Sequence, residues 1–144
     1  MPQTADEILA GAALTVDDRA YVFVRLHPRA VTLAAGIVAE VGEPYTALVV
    51  DKDEVTLVLP DDLLEEFSGR LREHAVLEQR YRLVTVDVVM EPSIVGVMAR
   101  LSAALAADGI SLMAFAAYSR DHLLVPVDQL PKALQALQKI TGTT

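Results

Sequence analysis

Between Leu83 and Met90 the sequence LVTVDVVM is β-branched and nearly continuous in apolar character, the pattern of a buried strand. The period then changes. Ile94, Val97, Met98, Leu101 and Leu105 recur three or four apart, which predicts a helix over about 93–108, capped by Ser93 and ended by Gly109 in a left-handed turn. Two apolar runs follow, ISLMAFAAY and HLLVPV, separated by Ser119, Arg120 and Asp121, and so short a connection favours a hairpin. A last helix is expected after the cap Asp128, with Leu130, Leu134 and Leu137 on one face and Pro131 in its first turn, where a missing N–H costs little.

The first half repeats the order. AYVFVRL (20–26) reads as a strand, about 30–41 as a helix, PYTALVV (44–50) and EVTLVLP (54–60) as strands, and Asp61 to His74 as a helix with the stripe Leu64, Phe67 and Leu71. Shifting the halves by 67 residues aligns Gly42 with Gly109, Leu57 with Leu124, Val58 with Val125, Asp61 with Asp128 and Leu63 with Leu130, which marks an internal repeat. Each repeat supplies β-α-β-β-α, and a fourth strand would complete the split βαβ, ferredoxin-like βαββαβ arrangement. Residues 76–80 are the candidate for the first unit and Ala13 to Val16 for the second. The expected fold is therefore α+β, two tandem ferredoxin-like units forming one compact body, divided into 1–76, with a leading helix and strand, and 77–144.

Composition narrows the function. Hydrophobic residues make up 53% of the 144 and charged ones 22%, which excludes disorder and favours a large buried interface. A net charge of −8 repels phosphate backbones, so no nucleic-acid partner is expected. The chain has no cysteine, so disulfides, thiolate metal sites and a cysteine nucleophile are excluded, and a reducing cytoplasm suits it. Asp6 and Glu7 stand where a signal peptide would carry Lys or Arg, and no run of about 18 apolar residues occurs, so neither export nor membrane spanning is expected.

The stretch YSRDHLL (118–124) places Ser119, Asp121 and His122 close together, the side-chain types of a hydrolytic triad. Neighbours on a strand point to opposite faces, so Asp121 and His122 cannot both address one serine, and a solvated turn is the better reading. His27, His74 and His122 show no metal-ligand spacing, and neither metal nor cofactor is expected. Asp87 interrupts a buried-looking strand. It either faces the less covered side of the sheet or accepts a cation from a ligand or a second subunit. In MEPSIVG (90–96) the free amides of Ile94, Val95 and Gly96 at a helix start suit an anion such as a carboxylate.

The second half, EPSIVGVMARLSAALAADGISLMAFAAYSRDHLLVPVDQLPKALQAL, resembles an ACT domain, the small regulatory module that binds amino acids in enzymes such as aspartate kinase. The passage GVMARLSAALAADGISL and the strand DHLLVPV look like those of short bacterial proteins built of two ACT-like units without a catalytic domain. The resemblance implies a ferredoxin-like fold, dimerisation, and effector binding at an interface between units. It maps the ligand's carboxylate and amino groups onto Pro92, Ser93, Ile94, Val95 and Gly96, and onto Ser111, Leu112, Met113 and Ala114. Tyr118, Asp121 or Asp87 would then touch the ligand's side chain. Pro92-Ser93 and Ser111 stand where many ligand-binding members carry Pro-Gly and Asn. The resulting expectation is a non-enzymatic regulatory sensor, homodimeric, with an amino-acid effector. A ligand-free protein-interaction module and a small ferredoxin-like enzyme are the alternatives.

Overall fold

The computed structural model describes residues 3–142, which divide into two compact units, one of residues 19–81 and one of residues 3–18 together with 82–142. Along the chain run α1 (Ala5–Ala10), β1 (Ala13–Leu26), α2 (Val31–Val41), β2 (Ala47–Val50), β3 (Val55–Pro60), α3 (Leu64–Ser68), β4 (His74–Val76), β5 (Tyr81–Asp87), α4 (Val97–Ala107), β6 (Met113–Ala116), β7 (Asp121–Pro126) and α5 (Leu130–Gln138). Strand β1 contributes to both units, residues 13–18 to one and 19–26 to the other.

In the unit of residues 19–81 the antiparallel order is β2-β3-β1-β4, with Tyr21 opposite Pro60, Ala47 opposite Val58, and Leu26 opposite His74. That is the ferredoxin-like order, with the first strand between the third and the fourth. Its core joins Val22, Val24, Leu57 and Leu59 of the sheet to Ile37 of α2, Phe67 of α3, and Leu71. In the other unit the order is β1-β5-β7-β6, where residues 13–18 supply the fourth strand. Arg82 donates to the Asp17 carbonyl at 2.8 Å along this edge. The core here is Leu14, Val84, Val86, Leu123 and Val125 against Leu9 of α1, Leu101 and Leu105 of α4 and Leu137 of α5. Thr4 caps α1 by accepting the Glu7 amide at 3.2 Å.

The duplication is present with a period of 66, one less than the glycine alignment suggests. Val31 and Val97 start matching helices, 66 apart, as do Leu64 and Leu130, while Ala47 and Met113 start matching strands. The pair Ala47 opposite Val58 recurs as Met113 opposite Leu124. The glycines fall at 67 because Gly42 follows α2 directly, whereas Asp108 intervenes between α4 and Gly109. Both are left-handed, at φ 65° and 70°.

Three expectations are corrected. The segment Asp61 to His74 does not form one helix: α3 ends at Ser68, Arg72 is left-handed at φ 55°, and 74–76 pair with β1. Leu71 is buried without being helical, so the apolar stripe is satisfied while the backbone gains sheet hydrogen bonds. Asp61 and Asp128 do not cap helices; they lie in single 3₁₀ turns, Asp61–Leu63 and Val127–Gln129, that follow Pro60 and Pro126. The division at 76/77 differs from the observed one, because β1 carries residues 13–18 into the unit of residues 82–142.

Candidate functional site

Strand β5 ends at Asp87 and the chain crosses to α4 through residues 88–96. The Met90 amide donates to the Ser119 carbonyl at 2.9 Å, tying this loop to the turn between β6 and β7, which the Ala117 amide closes onto the Arg120 carbonyl at 2.9 Å. The Ile94 amide turns back onto the Glu91 carbonyl at 3.1 Å. Gly96 then takes φ 94°, a conformation that a helical residue cannot share, and α4 starts at Val97. The expected helix start at Ser93 is thereby corrected: Ser93 caps nothing, and the Ile94 amide is already engaged. The open amides belong to Val97, Met98 and Ala99, since the Arg100 amide is the first to reach back, onto the Gly96 carbonyl at 3.0 Å.

An open cleft of about 570 Å³ lies between this helix start and the β6–β7 turn. Of the residues expected from the sequence, Pro92, Ile94, Gly96, Tyr118 and Asp121 line it. Ser93, Val95, Ser111, Leu112, Met113 and Ala114 do not, and Asp87 meets it only through Arg120. Val95 is 88% exposed and points into solvent, while Met113 and Ala114 lie on β6 at the sheet edge. The sequence reading missed Glu91, Met98 and Arg120 as lining residues. Met98 was legible as an apolar helix position, and its half-buried side chain both packs against the core and lines the cleft.

The electrostatics involve four acidic or basic groups, Asp87, Arg120, Asp121 and His122. Arg120 donates to Asp87 at 2.8 Å, and this bond, joined by the Thr15 hydroxyl at 3.4 Å, holds the Asp87 carboxyl below the usual range. Asp87 is exposed, as expected of the less covered side of the sheet, and Arg120 of the same unit supplies a cation to it. Burial pushes the Asp121 carboxyl up, partly offset by His122. Burial pushes the His122 imidazole down, and the Thr85 hydroxyl meets its Nδ1 at 2.8 Å. Ser119 Oγ accepts from Arg120 at 3.2 Å.

These shifts set a pH dependence. His122 is neutral in the fold with a depressed pKa, so its contribution is complete above about 6.5 and is lost as pH falls through the lower folded value. Asp121 has the opposite sign: its contribution is complete below about 3.9 and is lost as pH rises through its raised folded value. Urea unfolding at successive pH values from 7.5 to 5.5 should show falling stability, and His122→Gln should flatten that slope. An equal slope in the variant would assign the titration elsewhere.

Among the described residues there is no cluster of His, Cys, Asp and Glu able to hold a metal, and no helix long and apolar enough to cross a membrane. No curated protein matches the chain in sequence. Residues 76–139 match the family model of the ACT domain. Among solved structures, a protein from Agrobacterium tumefaciens is similar at 18% identity and TM-score 0.73, over 93% of this chain and 92% of that one. A protein of unknown function from Vibrio cholerae, described as a possible transport protein, is 23% identical with TM-score 0.70, over 95% and 92%. The ligand-free regulatory subunit of aspartate kinase from Thermus thermophilus is 17% identical with TM-score 0.69, over 92% and 98%.

Proposed function

With residues 76–139 matching the ACT domain, we propose that this chain is a cytoplasmic regulatory module without catalysis of its own, a homodimer that binds a small amino acid. The observation that carries the reading is the cleft of about 570 Å³ at the start of α4. A carboxylate suits the open amides of Val97, Met98 and Ala99, which carry the positive end of the helix dipole. An ammonium group suits Asp121, and a side chain suits the apolar Ile94 and Met98. The likeness to a regulatory subunit of aspartate kinase supports the regulatory role. Strand β6, which among the described residues pairs with β7 alone, offers an edge to a second copy, with Met113 and Ala114 exposed there and Ser111 and Leu112 leading into it. Ligand binding acts on a target by favouring whichever arrangement binds it more tightly.

Thermal unfolding against the twenty amino acids at millimolar concentration tests this. A ligand at one hundred times its dissociation constant adds about 2.7 kcal/mol, a rise of several degrees in Tm. Ala99→Glu should remove that rise while keeping the free protein's Tm, because a carboxylate in the first turn suits the helix and repels the ligand's own. If no amino acid shifts Tm, the amino-acid reading is lost. The fully exposed Tyr118 and the exposed Val95 then favour a protein-interaction module.

A further inference from the structure

The unit of residues 19–81 carries a concavity that the reading above leaves unused. It opens between the first turn of α2 and the segment 69–73 after α3, and measures about 910 Å³. Ala30, Leu33 and Leu71 give it an apolar lining. Arg29, Arg70 and Arg72 line it as well, against the single carboxylate Glu73. Residues 19–81 contain seven Lys and Arg against eleven Asp and Glu. Three of the seven cations therefore converge on one concavity of an acidic unit, a local reversal of sign that favours anions.

Each arginine is held in a different way. Arg70 pairs with Glu40 at 2.6 Å and lies 5.4 Å from the centre of the Phe67 ring, which fixes its plane. Arg29 and Arg72 have no ion-pair partner among the described residues. The Arg29 amide donates to His27 Nδ1 at 3.0 Å, fixing the turn that carries it. Arg72 sits at φ 55°, a conformation costly for any residue with a Cβ, and its carbonyl meets His74 Nδ1 at 2.7 Å. Beside them, the Ala34 amide is the first in α2 to reach back, onto Ala30 at 3.0 Å, and Ala30 offers no side-chain cap. The amides of Val31, Thr32 and Leu33 thus add partial positive charge to the same wall.

We propose that this concavity is an oxyanion site for a small organic anion, its phosphate or carboxylate head on the forks of Arg29 and Arg72 and its apolar body against Leu33. The planar guanidinium offers paired N–H groups at the spacing of two such oxygens. This site shares no residue with the cleft of the other unit, so the two assignments stand or fall separately.

The test follows backbone amide resonances of the full chain while sodium phosphate, and in a second series citrate, is added at ionic strength held constant with KCl. Saturable shifts at Val31 to Leu33 and at Arg70 to Glu73 are expected. Arg72→Gly, which keeps the left-handed backbone at no steric cost, should weaken binding about tenfold, as should Arg29→Ala. A response to phosphate alone or to citrate alone names the head group. Absence of saturable shifts in both series, or equal affinity in the wild type and both variants, overturns the proposal.

Discussion

Leu101→Ala is expected to lower the free energy of unfolding by about 3–4 kcal/mol, a large part of a typical total of roughly 5–15. Leu101 is fully buried, on the face of α4 that packs with Val84, Val86, Leu105, Leu123 and Leu137. These neighbours come from two strands and two helices, so they cannot all move inward to fill the space that three lost carbons leave. Urea unfolding measures the loss, and Leu101→Met, which conserves volume, should cost less than about 1.5 kcal/mol. A cost of about 1 kcal/mol for the alanine variant would mean that α4 is loosely seated on its sheet.

Phe67→Ala should cost about 3–5 kcal/mol, and its effect should spread further than that of Leu101. Helix α3 has five residues, far below the length at which a helix stands alone, so it exists because Phe67 anchors it. The ring packs with Leu57, Leu59 and Leu71 and also supports Arg70. Without it, amide exchange at Leu64 to Ser68 should approach that of an unstructured peptide, and the phosphate response of the arginine concavity should weaken with it. Retained protection across α3 would show that the 3₁₀ turn Asp61–Leu63 and Leu71 hold the segment by themselves.

The two apolar periodicities made most of the fold legible. The strand in LVTVDVVM, although it ends at Asp87 rather than Met90, the hairpin strand HLLVPV and the stripe through Leu101 and Leu105 are in place, because residues buried on a sheet or helix face have few ways to satisfy themselves. Even the distant strand at Ala13 to Val16 followed from counting what a ferredoxin-like unit lacks. Boundaries failed where backbone conformation overrode side-chain pattern. Gly96 at φ 94° cut a turn from α4, and Arg72 at φ 55° released 74–76 into the sheet. Nothing in the identity of an arginine announces a left-handed backbone. The cleft was half legible for the same reason. Pro92, Ile94 and Gly96 lie on the loop that the repeat located, whereas Arg120 enters from a hairpin turn whose side-chain direction only the folded chain fixes.

Strand β1 makes the carboxy-terminal unit a circular permutant of the ferredoxin-like order. The strand that should come last in its chain comes first, and the whole of residues 19–81 is spliced in before the rest resumes. Its modular boundary in space is therefore not a boundary in the gene. A polypeptide trimmed to the matched residues 76–139 would lose Leu9 and Leu14 from its core and leave one long side of β5 unpaired. Grafting this module onto another protein thus requires moving residues 3–18 to its carboxy terminus, so that the permutation is undone and the sheet can close from a single continuous segment.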